Sequence, residues 1–232
     1  MVNAKDYLQI LDLMYQVAQS LEGKKHRDKR MHDCNKLGLK LFFHCTSLYW
    51  LMQGTKAPVP EPEGSSFYDM ASTAVIARSA LEAYLTMHEV FFEPIADDER
   101  EYRHALWFLS GFALREEIVT NDPTLALMRE RISKTAHFAS LTDSQKRKLL
   151  GKGEVQSPQF SKRAEAAGFG PVTITRMRKY LSSYVHSDGL SATQIMDANT
   201  PKKQAAYIDN CMILIMMVMS KMILDYQYLR QK

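Results

Sequence analysis

Apolar side chains recur every three or four positions along most of this chain and almost nowhere every two. Between residues 4 and 22, Tyr7, Leu8, Leu11, Met14, Tyr15, Val17, Ala18 and Leu21 make one such face, which predicts an amphipathic helix ending at Gly23. Residues 33–53 are apolar on nearly every side, through Leu37, Leu41, Phe42, Leu48 and Trp50, and predict a central helix. A third helix is expected over 68–92, closing before Pro94. Asp97, Asp98 and Glu99 open a fourth, their negative charge facing the positive end of the helix dipole, and it runs to about residue 119. Asn121-Asp122-Pro123 starts a fifth, with a cap followed by proline, and Thr142-Asp143 a sixth. A short helix over 158–167 and two long ones over 173–187 and 202–229 complete the pattern. No internal repeat and no alternating strand run interrupts it. The fold class predicted is all-α, a multi-helix bundle of seven to nine helices in a single domain over residues 1–232.

Two stretches break the periodicity. The segment 55–67 carries Pro58, Pro60 and Pro62, whose alternation forbids a helix and favours an extended connector. Residues 151–171 hold four glycines and two prolines, and read as irregular structure around the short helix.

Composition narrows the class. A chain of 232 residues sits near the upper limit of what one core organises. With 46% hydrophobic and 24% charged residues it is not disordered, collagen-like or a disulfide scaffold. A net charge of +4 permits contact with phosphate without declaring a nucleic-acid binder. The densest basic run, residues 24–30, reads either as a solvated helix end or as a surface for RNA or an acidic partner. Cys34, Cys45 and Cys211 are odd in number and set among apolar neighbours, which suits reduced thiols and a cytoplasmic location. The N-terminal residues have no secretory pattern. The longest apolar run, 211–219, is nine residues against the roughly 20 needed to cross a bilayer, so a buried core helix is expected and no membrane partner.

Polar residues embedded in apolar helices are the candidates for chemistry. Arg78 and Glu82 lie four apart between alanines and leucines, on one helical face. They predict a desolvated ion pair, which either fixes helix register or belongs to a site. On the eighth helix, Ile174, Met177, Leu181, Tyr184 and Val185 make the apolar face, while Arg178, Ser182 and His186 climb one flank in steps of four. His186 stands before Ser187-Asp188-Gly189, read as a helix end, where an imidazole can serve as acid or base or simply as a cap. Metal binding is not predicted: the Glu101–His104 step used by di-iron bundles occurs once, and no paired cysteine–histidine cluster exists. No phosphate-binding glycine loop, nucleophile elbow or dinucleotide fingerprint is present, so no cofactor is assigned. Met212, Met216, Met217, Met219 and Met222 read as adaptable core, with a dimer face as the alternative.

The two segments Arg78-Ser79-Ala80-Leu81-Glu82-Ala83-Tyr84 and Tyr180-Leu181-Ser182-Ser183-Tyr184-Val185-His186, with the helical layout between them, resemble bacterial helical proteins related to the HEPN superfamily. The resemblance implies a helical bundle, commonly a homodimer, and for many members a metal-independent ribonuclease of a stress or defence system. On that basis His186 is the candidate general base or acid at an RNA 2′-hydroxyl and Arg178 the candidate clamp on developing phosphate charge, with Arg78, Glu82, Ser182 and Tyr84 as supporting polar residues. Seven residues separate Arg178 from His186, more than the family's usual spacing, which turns the histidine by about 100° on a regular helix. The alternative is a non-catalytic interaction or ligand-sensing module in which the same residues line a pocket or specify the dimer.

Overall fold

The computed structural model describes residues 2–20, 28, 30–56, 66–116, 123–152, 159–186, 188–198 and 200–230. Among them are eleven α-helices: α1 (Ala4–Gln19), α2 (Arg30–Leu51), α3 (Met70–Met87), α4 (Asp97–Glu116), α5 (Pro123–Ser133), α6 (Ala136–Ala139), α7 (Asp143–Lys152), α8 (Phe160–Ala166), α9 (Pro171–Val185), α10 (Gly189–Asp197) and α11 (Pro201–Arg230). Two residues on each side of the proline-rich connector, Thr55–Lys56 (β1) and Ser66–Phe67 (β2), pair antiparallel and bring its ends together. Pro58, Pro60 and Pro62, Gly23, residues 24–27 and 29 of the basic run, Asn121-Asp122 and residues 153–158 lie outside the described residues.

The all-helical expectation holds, and the expected count falls short by α6 and α10. Ser187-Asp188-Gly189 reads as a stop, yet the Asp188 carboxylate accepts the Ser191 N–H at 3.1 Å and so starts α10. Four-residue α6 is too short to show periodicity. It is nucleated by Thr135, which accepts the Phe138 N–H, and by Asp98, which accepts the Ala136 and His137 N–H groups at 3.0 and 3.1 Å. The third predicted helix is two pieces. After α3 the backbone widens into a π-helical turn, His88–Phe92. Arg100 of α4 caps its end, donating to the Phe91 and Glu93 carbonyls at 2.6 and 2.7 Å.

Helix α3 is the centre, packed against α2, α9 and α11. Its buried Ala74, Ala77 and Ala80 leave room for neighbours to approach, and Leu81 and Leu85 fill the rest. Helix α11 contributes Met212, Ile215, Val218, Met219, Met222 and Tyr226, all without exposed surface. It crosses α2 at Gly38, where a β-carbon would stand 2.7 Å from the Tyr226 hydroxyl. By length and composition α11 could cross a membrane, with a mean hydropathy of 1.6, but half of that window is buried inside the bundle. A second, smaller core joins α4, α5 and α7 through Tyr102, Leu109, Leu125, Met128, Ile132 and Leu149. The three cysteines are free and buried, and burial pushes the Cys34 and Cys211 thiols up to about 12. They pack as neutral hydrophobes, not as nucleophiles.

Candidate functional site

An open groove of about 470 Å³ runs along one side of α3, lined there by Val75, Arg78, Ser79, Glu82, Ala83 and Thr86. Leu37 and Lys40 of α2 form one wall, Val185 and His186 at the end of α9 another, and Trp107 of α4 closes it. These α3 positions recur at three and four residues, so one helical face supplies the floor. Helix α9 lies antiparallel to α3. Phe169, just ahead of α9, packs edge-on against Tyr84 at 5.8 Å, Arg178 meets Glu82, and His186 lines the same groove as Arg78. Trp107 touches Phe91, beyond the C-terminal end of α3, with ring centroids 5.9 Å apart. The groove therefore has a cationic end at Arg78 and His186 and an aromatic end at Trp107 and Thr86. Eight residues of α3 separate them, about 12 Å along the axis.

The carboxylate in the groove is already occupied. Glu82 Oε1 accepts from Arg178 Nε at 2.9 Å, and Oε2 lies 3.5 Å from Arg163 Nη1. Arg163 also donates to Thr86 Oγ1 at 2.9 Å, and its Nε sits 2.8 Å from Glu89 Oε2, an ion pair out of line for a hydrogen bond. The Arg178 guanidinium lies over the Phe160 ring at 4.7 Å, so α8 is clasped to the bundle by one arginine of its own and one from α9. Among the described residues neither Arg78 nor Lys40 makes a hydrogen bond or ion pair, and the His186 ring makes none.

The residues expected from the sequence meet this geometry differently. His186, Arg78 and Glu82 do line one groove. The Arg78–Glu82 ion pair does not form, because Glu82 turns to the arginines arriving from α8 and α9. Arg178 is not among the groove-lining residues. Eight residues place His186 about 80° around the helix from Arg178, and it lies past Val185, the last helical residue, so the two do not converge. Ser182 donates to the Arg178 carbonyl at 2.8 Å, a bond within its own helix. Tyr84 is fully buried and donates to Asp225 Oδ2 of α11 at 2.7 Å, with burial holding its phenol well above the usual range. Lys40, Trp107 and Arg163 were not singled out from the sequence. Only Lys40, a lone charge between Leu39 and Leu41, left a sign there.

A second polar cluster joins α2 to the smaller core. His104, 3% exposed, has Nε2 3.1 Å from Asp33 Oδ2 and Nδ1 3.1 Å from Arg131 Nη2. A guanidinium can only donate, so Nδ1 accepts and the proton sits on Nε2, which donates to Asp33. The ring is neutral, and burial, together with Arg131, lowers its pKa. Arg131 continues to Glu101 at 2.7 Å, and Arg30 reaches Glu101 at 3.7 Å, Asp28 at 2.7 Å and Asp97. Burial works against charging Asp28, but the hydrogen bonds from Arg30 hold its carboxyl below the ordinary value. The Glu101–His104 step is thus spent on arginine and aspartate. No group of three metal-ligating side chains is found among the described residues.

The chain matches no protein-family model, no curated protein and no solved structure.

Proposed function

We propose that the chain is a ligand-binding helical module whose groove takes a phosphate ester. One observation carries this: Arg78, Lys40 and His186 line one groove without a protein partner for their side chains, while Glu82, the only carboxylate among the described groove-lining residues, is neutralised by Arg178 and Arg163. Two uncompensated cations and an imidazole line a volume within the range of small-ligand sites. A guanidinium offers a planar fork to phosphate oxygens, and a lysine adds a point charge. Calorimetric titration with uridine monophosphate and with inorganic phosphate tests the reading. Binding that is lost in Arg78→Ala supports it, and no heat from either ligand at low salt removes it.

A second reading, a HEPN-like metal-independent ribonuclease, is favoured by His186 and Arg78 lining the same open groove. In it His186 takes the proton of the RNA 2′-hydroxyl and Arg78, in place of Arg178, holds the developing phosphate charge. RNA cleaved in the presence of EDTA by the wild type and not by His186→Ala is the expected result; intact RNA with both returns the site to binding alone. A homodimer is part of the same proposal. The open side of α11 presents Ile213, Met217, Leu224 and Tyr228, 49–58% exposed, and is a suitable face for it. Light scattering measures it directly, with a monomeric mass at all concentrations as the contrary result.

A further inference from the structure

The residues of α2 most open to solvent are His32, Lys36, Leu39, Lys40, Phe43, Ser47 and Trp50. They recur every three or four positions and so share one face, about 27 Å long. That face has two ammonium groups, an imidazole, two aromatic rings and no carboxylate, in a chain with 26 acidic residues. The single acid of the helix, Asp33, is half-buried: it accepts from His104 on its inner side and pairs with Lys36 at 3.1 Å, which leaves Lys40 as the unpaired ammonium of the face among the described residues. Phe43 and Trp50 are 57% and 66% exposed, far more than their apolar area favours in a lone globular chain. Neighbouring rings hold them in place: Phe43 lies 6.1 Å from Phe42, and Trp50 packs edge-on against Tyr49 at 5.4 Å. Lys40 belongs both to this face and to the groove, so the two surfaces are continuous.

We infer that the exposed face of α2 is a track for single-stranded nucleic acid that leads into the groove, with phosphates on Lys40 and Arg78 and bases stacked on Phe43 and Trp50. The inference rests on the reading of the groove as a phosphate-ester site and adds the class of ligand to it. Basic side chains follow the polymer backbone, and aromatic rings accept any base because every base has a π-face. A face for a second protein would not need the lysines. Insertion into a lipid surface would need more aliphatic side chains than Leu39.

Fluorescence anisotropy with a labelled 12-residue oligouridylate, and separately with the matching DNA, tests this on the full chain. Expected is salt-dependent binding that weakens at least tenfold in Phe43→Ala/Trp50→Ala, with unchanged calorimetric affinity for uridine monophosphate and an unchanged Tm. The ratio of the two oligomers' affinities tells RNA from DNA. A second readout is ¹⁹F resonance of 5-fluorotryptophan at the chain's two tryptophans. The oligomer should shift the Trp50 signal, assigned through Trp50→Phe, and the mononucleotide should leave it in place. Equal oligomer affinity in wild type and double variant overturns the track while the groove survives. No binding of oligomer, mononucleotide or phosphate overturns both. Co-sedimentation with phosphatidylserine vesicles, or a change of oligomeric state in the double variant, with no effect on oligomer affinity, assigns the face to a membrane or a second copy and also overturns the track.

Discussion

Around His104 every charged group has a protein partner: the imidazole bridges Asp33 and Arg131, Arg131 holds Glu101, and Arg30 gathers Asp28, Asp97 and Glu101. Around His186 the opposite holds, with Arg78 and Lys40 facing open space and the one carboxylate already taken by arginines from elsewhere. Both clusters mix histidine, arginine and carboxylate, and residue type alone does not separate them. Satisfaction does. A closed network has used its hydrogen-bonding capacity to join helices and has nothing left to offer a ligand, whereas convergent cations without partners are under-compensated until an anion arrives.

The strongest break in that comparison is His104→Ala. It takes one partner from each of Asp33 and Arg131, which keep Lys36 and Glu101, and opens a cavity between α2 and the smaller core; a loss of about 2–3 kcal/mol in denaturant unfolding is expected, with phosphate-ester affinity unchanged. A loss under about 0.5 kcal/mol, within the range of ordinary surface substitutions, would mean that the network is ornamental. Arg78→Ala should do the reverse, weakening binding of uridine monophosphate about tenfold, or about 1.4 kcal/mol, while Tm stays put. Should Tm fall and affinity hold, the two clusters have been assigned the wrong way round. Glu82→Gln sharpens the contrast. Its ion pairs are a third exposed and screened, so only about 0.5–1 kcal/mol of stability should go, and anion affinity should rise by a small factor as a negative charge leaves the groove. Unaltered affinity in this variant argues against phosphate at the Arg78 end.

The smallest expected change is with pH. Burial lowers the pKa of His44, His88 and His104, so all three are held neutral in the fold and take up protons more readily once unfolded. Their contribution is present above about pH 6.5, the ordinary histidine value, and is lost as pH falls through their lowered folded values. Unfolding free energy followed from pH 7.5 to 5 should decline on the acid side. His104→Ala should decline less, and a parallel curve would assign the slope to the other two rings.

Much of the bundle was legible because helix signals are local. Asp97-Asp98-Glu99 and Pro123 mark starts that depend on a few adjacent residues, and the apolar stripe of Tyr7, Leu11, Met14 and Val17 is the face that α1 buries. The same locality misled at Asp188, where one side chain decides whether a chain stops or begins again. Of the candidate site, His186, Arg78 and Glu82 were recognisable as polar groups among apolar neighbours. Their partners were not. Whether Glu82 prefers an arginine four residues away on its own helix or one 96 positions along the chain depends on how α3 and α9 pack, and no spacing encodes that.

What this sequence determined by itself is the all-helical class and the core faces, since periodicity and capping are properties of neighbouring residues. Only the tertiary structure decided which charges were consumed and which left open. It drew Arg178 to Glu82, put Arg78, His186 and Lys40 along one groove, and closed His104 between Asp33 and Arg131. The physical reason is that satisfying a charge is a matter of distance and desolvation between helices, and both exist only after the helices have packed.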